Sequence, residues 1–190
     1  MPAPQHLRVF LASPGDVADE RALARRLIEK ELPSDPLLRG QVTFEVVSWD
    51  DPVAPPPMPA TLTPQGAVIR FEGEPSTCDI VIVVLWSRLG TRLDVTAFRK
   101  PTGDPYLSGT EWEFENAWNA NPRPEILVYR RMEEPKIGMR DLAFEEKRRQ
   151  YQLVEQFFDR FTNPDGSLPR GVIPRPQNRD SWNETGCGRV

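Results

Sequence analysis

From Ile80 to Trp86 the run Ile80-Val-Ile-Val-Val-Leu-Trp86 is apolar at every position. Side chains of a strand alternate between two faces, so a strand of this composition has no face to offer water. It needs cover on both sides, which is the place of a central strand in a parallel sheet between two layers of helices. Seven apolar residues are also too few to span a bilayer, which takes roughly 20. The start, Met1-Pro2-Ala3-Pro4, lacks the basic flank and apolar region of a signal peptide. These features predict a soluble, cytoplasmic protein with no membrane partner.

The segments around this run alternate between strand and helix patterns. Leu7-Arg-Val-Phe-Leu-Ala12 reads as a strand and stops at Ser13-Pro14-Gly15-Asp16, a cluster of turn and cap residues. From Val17 to Leu32, residues Val17, Leu23, Leu27, Ile28 and Leu32 recur near helical spacing, with acidic residues in the first turn and Pro33 at the close. Val42 to Trp49 reads as a second strand ended by Asp50-Asp51 and prolines, and 64–71 as a helix opened by a proline. Ser108 to Asn119 reads as a capped helix, Glu125 to Arg130 as a strand and Asp141 to Phe161 as a long final helix. The alternation predicts right-handed crossovers and an α/β fold with an open parallel sheet in three layers.

A length of 190 residues suits one domain, here 1–161. Proline reaches 21 residues, about double average usage, and gathers between the regular elements. After Phe161 periodic apolar character fades, so 162–190 reads as a Pro/Gly-rich tail or linker, leading to a domain further along a longer protein. The 24 basic and 28 acidic residues give a net charge of -4, which offers no general field for a nucleic-acid backbone. Two cysteines, Cys78 and Cys187, and one histidine, His6, cannot build a disulfide framework, a structural zinc site, a Cys/His pair or a Ser-His-Asp triad. Neither G-x-G-x-x-G nor a P-loop is present, so hydride transfer and triphosphatase chemistry have no motif. The acidic pair Asp50-Asp51 does not make a receiver pocket, because the central strand ends in Trp86-Ser87 without a phosphoacceptor aspartate.

Ligands of open parallel sheets bind beyond the carboxyl ends of the strands. This nominates Ser13 to Asp16, Trp49 to Asp51, Ser87 to Thr91 and the helix start at Ser108. Three ordered motifs in these regions carry a resemblance over about residues 7–160: Arg8-Val-Phe-Leu-Ala-Ser-Pro-Gly-Asp-Val-Ala-Asp-Glu-Arg21, Cys78-Asp-Ile-Val-Ile-Val-Val-Leu-Trp-Ser-Arg-Leu-Gly-Thr91 and Ser108-Gly-Thr-Glu-Trp-Glu-Phe-Glu-Asn-Ala117. Together they resemble the TIR-like (Toll/interleukin-1 receptor-related) domain at the N-terminus of NACHT and other STAND signalling ATPases. The resemblance implies a flavodoxin-like fold, self-association, a STAND ATPase region downstream and a role in bacterial immune or stress defence. Many TIR domains cleave NAD at the nicotinamide-ribose bond with one helix glutamate, whereas others are assembly modules. NAD is then a substrate, and no cofactor or metal is implied.

Such cleavage needs little apparatus, because nicotinamide leaves readily and one carboxylate can stabilise an oxocarbenium-like transition state. Of the glutamates on the 108–119 helix, Glu113 and Glu111 border the face of Phe114, Ala117 and Trp118 on opposite sides, and Glu115 lies farther out, in solvent. The TIR pattern sets its glutamate four residues before a small residue, which aligns Glu113 with Ala117. It commonly sets an aromatic residue four before the glutamate, where this chain has Gly109, with Trp112 adjacent instead.

Each candidate also has a structural reading. Glu113 is either catalytic or a boundary carboxylate paired with a base. Ser13 and Asp16 are caps of the following helix or, with Pro14 and Gly15, a phosphate cradle at its N-terminus. Arg21 reads as part of a solvated face with Glu20, Arg25 and Arg26, or as a phosphate ligand. Trp49 and Trp86 are core lids or stacking platforms. Arg88, after Ser87, neutralises pyrophosphate, pairs with Glu113 or closes a loop salt bridge. The 145–149 charges read as a solvated face opposite Leu153, Val154, Phe157, Phe158 and Phe161. The readings are thus an NAD-cleaving effector, a noncatalytic TIR-like assembly module, or a nucleoside deoxyribosyltransferase-like enzyme, which shares only the carboxylate.

Overall fold

The computed structural model describes residues 3–48, 73–94, 98–138 and 140–161, and the backbone of 172–175. The expected 64–71 helix, Trp49, Asp50, Asp51 and Cys187 lie outside the described residues. Strands β1 (Gln5–Ala12), β2 (Val42–Val47), β3 (Ile80–Leu85), β4 (Glu125–Arg131) and β5 (Val172–Arg175) form one sheet in the order β2-β1-β3-β4-β5. Every pairing is parallel, with Gln5 opposite Val42, Val9 opposite Ile80, Ile80 opposite Glu125 and Val128 opposite Val172. The chain is therefore an α/β protein built on a parallel sheet.

Helix α1 (Ala18–Arg26) begins after a single 3-10 turn at Gly15–Val17 and continues through a π turn, Leu27–Glu31, into a last 3-10 turn that contains Pro33. Helix α2 (Gly109–Trp118) starts at Ser108, whose Oγ accepts the Glu111 amide at 3.0 Å. Helix α3 (Phe144–Asp159) carries its charges outward, as in the Arg149–Glu146 and Lys147–Asp141 pairs.

Alternation along the strands divides the core into two layers. Phe10, Ala12, Val81, Val83, Leu85 and Val128 pack on Phe114 and Ala117 of α2 and on Val154, Phe157 and Phe158 of α3. Val9, Leu11, Val46, Ile80 and Ile82 face the other way, against Ala24 and Ile28 of the α1 stretch. Val81 and Val83 are fully buried, as a two-faced apolar strand requires. Trp118 shares the expected α2 face, with its ring stacked 5.6 Å from that of Phe114, but it lies at the exposed end of the helix under the guanidinium of Arg123, 4.3 Å from the ring centre.

The fifth strand falls within 162–190, which the sequence presents as a tail. Weak periodicity hid it, since four residues suffice for an edge strand and Pro174 is tolerated at an edge. No helix among the described residues is long and apolar enough to cross a membrane.

Candidate functional site

Two of the nominated loops meet at the carboxyl end of the sheet. Asp16 follows β1 and Ser87 follows β3, and Asp16 Oδ2 accepts both the Ser87 amide at 3.0 Å and its hydroxyl at 2.8 Å. The Ser87 turn is tied in the same way to the start of α2. Gly90 has φ +123, a conformation that favours glycine, and a Cβ there would lie 3.2 Å from Thr110 Oγ1 and 3.3 Å from Ser108 Cβ. The Gly109 amide donates to the Thr91 carbonyl at 3.0 Å, and the Leu89 amide donates to Gln150 Oε1 of α3 at 3.1 Å. We expect Gly90→Ala to cost about 2 kcal/mol, read as a lower urea midpoint; an unchanged midpoint would show that the turn is not under steric constraint.

Several expectations for individual residues are corrected by these contacts. Ser13 and Asp16 do not cap α1 or its leading turn, because neither N-cap position makes a side-chain cap bond. Ser13 Oγ accepts from Arg21 Nη1 at 2.7 Å, and Asp16 is directed across to Ser87. Arg21 is not on a solvated face: it is 5% exposed and also donates to the Pro14 carbonyl at 3.0 Å. Glu20 is likewise buried, paired with Arg131 of β4 at 3.2 Å. Helix periodicity cannot show this, because the partners come from a preceding loop and a distant strand. Pro14 is buried and Gly15 exposed, with open space where a Cβ would be. The start of α1 already carries Asp16, Asp19 and Glu20, so its positive end is partly neutralised by the chain itself.

Trp86 is held from outside the expected stacking role. Its Nε1 donates to the Glu133 carbonyl at 2.6 Å, and Arg131 lies over the ring at 3.9 Å. Arg88 donates to Thr91 Oγ1 at 3.5 Å within its own loop. Two polar atoms of this region are buried with no hydrogen-bond partner among the described residues, Asp16 Oδ1 and Arg88 Nε. Each such atom costs on the order of 1–3 kcal/mol, a cost that a bound partner could remove.

The three glutamates of α2 have distinct environments. Glu113 is 4% exposed and contributes to a helix that is buried through most of its first two turns. Trp112, beside it, is buried edge-on against Phe98, with ring centres 5.4 Å apart. Glu111 is fully buried, accepts the Leu107 amide at 2.7 Å and pairs with Lys100 at 2.9 Å and with Arg160 from the end of α3. Glu115 is not in solvent but joins the same cluster, 3.0 Å from Lys100 and 3.0 Å from Arg160. Burial pushes the Glu111 carboxyl up, but the Leu107 amide and the two cations outweigh it and hold it below its ordinary value. Burial works against the charge of Lys100, and its bonds to Glu111 and Glu115 outweigh that and raise it.

This four-residue cluster was not foreseen from sequence, although Ser108-Gly-Thr-Glu111 has the spacing of a capping box. In the fold the Glu111 carboxylate passes by the N-cap amide and takes the preceding Leu107 amide instead. Burial pushes the Cys78 thiol up to about 11, which leaves it protonated and unreactive at neutral pH. Among the described residues no group of three His, Cys, Asp or Glu could hold a metal ion.

The fold and site define a parallel-sheet α/β protein with a loop cluster at the carboxyl ends of β1 and β3. No family model, no curated protein and no solved structure matches the chain.

Proposed function

We propose that this chain is a TIR-like domain with a flavodoxin-like fold that cleaves NAD at the nicotinamide-ribose bond. The observation that carries the reading is the convergence of all three resembling segments: Ser13 to Asp16, Ser87 to Thr91, and Ser108 at the start of the helix bearing Glu113. The strand order 2-1-3-4-5 supports it, because sheets of this order take ligands where the order reverses, between β1 and β3. In this reading Arg88 faces the pyrophosphate, and its buried Nε gains the acceptor it lacks. Glu113 stabilises positive charge on the ribose as the bond to nicotinamide lengthens, and water completes the hydrolysis.

The 4% exposure of Glu113 favours a second reading, a noncatalytic TIR-like assembly module in a STAND-type protein. Incubating the assembled protein with NAD and measuring free nicotinamide separates the two. Release above the spontaneous rate supports cleavage, and none supports the module. The lone histidine, His6, lies at the far end of β1, bonded to Thr43 and Glu45, so the site has few groups of its own. We therefore expect activity to require self-association, with specific turnover falling steeply on dilution; turnover strictly proportional to protein concentration down to a proven monomer would contradict this.

A further inference from the structure

We infer that Gln150 of α3 is a positioning residue, which sets Arg88 for an anionic ligand by holding the backbone of the turn after β3. The inference rests on the NAD reading for its ligand and on hydrogen bonds within the chain for its geometry.

Helix α3 turns Val154, Phe157 and Phe158 into the core, and Gln150, one turn before Val154, lies on the same inward face at 8% exposure. A polar side chain in such a place needs partners for both ends of its amide. Gln150 has them, since its Oε1 accepts the Leu89 amide at 3.1 Å and its Nε2 donates to Glu146 Oε1 at 3.0 Å. The chemistry of Glu146 fixes which end meets which partner. Arg149 and Gln150 hold its carboxyl down to about 2, so at neutral pH it is ionised and can only accept. The donor end of Gln150 therefore lies toward Glu146, which leaves the carbonyl end for Leu89.

Leu89 follows Arg88 in the chain, and the residue before Arg88 is held in the same manner. The Ser87 amide donates to Asp16 Oδ2 of the β1 loop at 3.0 Å, and Gly90 packs against Ser108 and Thr110 at the start of α2. Side chains 71 and 61 positions away thus fix the amides on either side of Arg88. The guanidinium takes no part in these bonds. It donates to Thr91 at 3.5 Å within the turn, and its Nε is buried with no hydrogen-bond partner among the described residues. Without Gln150, the Leu89 amide would be buried with no acceptor, and the turn would be more stable with that amide moved toward water. Arg88 would move with it, and affinity would fall with the fraction of molecules that keep the turn in place.

The test measures binding of ADP-ribose, which carries the pyrophosphate and has no nicotinamide bond to cleave, by calorimetry on the full 190-residue chain. Gln150→Met, close in size and unable to accept the Leu89 amide, should weaken binding by about 10-fold. In NAD cleavage it should raise KM by a similar factor and leave kcat unchanged, the mark of lost binding rather than lost chemistry. In an Arg88→Met background Gln150→Met should have no further effect, because Gln150 acts through Arg88; kcat/KM closes this cycle where binding is too weak for calorimetry. If Gln150→Met does not fold, as judged by circular dichroism, Glu146→Ala takes its place in the same cycle. That exposed substitution frees Gln150 to turn its donor end toward Leu89, and it should weaken binding in the same direction. Unchanged affinity in a folded variant, a fall in kcat with KM unchanged, or an equal loss with and without Arg88 overturns the inference and leaves the NAD reading standing. A wild-type protein that binds no ADP-ribose removes the NAD reading itself, and the inference with it.

Discussion

Glu113→Gln is expected to lower NAD cleavage by about 100-fold or more, with folding and assembly retained. The substitution keeps the shape of the side chain and removes the charge. If the carboxylate stabilises an oxocarbenium-like ribose, that charge acts in a site screened from water, where electrostatic effects are strongest. Glu113 is 4% exposed, so its surroundings are of this kind. Helix position suggests Glu115 as a control on an outer face, but its pairs with Lys100 and Arg160 make it unsuitable. Glu145, exposed at the start of α3, is the better control, and Glu145→Gln should leave turnover unchanged. Full turnover by a folded Glu113→Gln protein would remove the proposed mechanism and favour the assembly module.

The second large effect is on stability. Glu111→Ala should destabilise the protein by about 3 kcal/mol, measured by urea unfolding. The substitution deprives the Leu107 amide of its acceptor and leaves Lys100 and Arg160 with Glu115 as their shared carboxylate. It also opens a cavity beside a helix that is buried on most sides. Lys100 and Arg160 are partly exposed, which keeps the cost below that of two stranded interior charges.

The same carboxylate sets an acid limit on the fold. Its folded pKa lies below the ordinary 4.5, so the native state holds the charged form more strongly than the unfolded chain does. Its contribution is complete above about pH 4.5 and is lost as pH falls through the lowered folded value. Glu111→Gln should therefore flatten the pH dependence of stability below pH 4.5 relative to wild type. A parallel acid profile in wild type and Glu111→Gln would show that other carboxylates dominate acid unfolding.

The sheet was legible in the sequence because hydrophobic burial is written into local patterns. A run with no polar face, such as Ile80 to Leu85, has few stable positions other than the middle of a covered parallel sheet. The α1 stretch, α2 and α3 were legible from their periodicity, and the Ser108 cap from its spacing. The rule that ligands gather beyond strand ends also nominates Ser13 to Asp16 and Ser87 to Thr91 from strand position alone. β5 was not legible, because an edge strand of four residues needs neither a long apolar run nor a face buried on both sides.

By itself, then, the sequence determined the types and chain order of β1 to β4 and of α1 to α3, and the parallel character of the sheet, since each depends on residues a few positions apart. Tertiary structure alone decided the partners of the charged and polar side chains. Asp16 looks like a cap until β1 and β3 lie side by side and bring Ser87, 71 positions away, within reach. Arg21 and Glu20 look solvated until the Ser13 loop and Arg131 of β4 close over them. Glu111 looks like the border of an apolar helix face and Glu115 like a solvated residue until the loop at Lys100 and the end of α3 bring two cations to the same place. A carboxylate carries no periodic signal of its partner, because an ion pair requires only proximity in space, and proximity between distant segments exists only once the sheet has assembled.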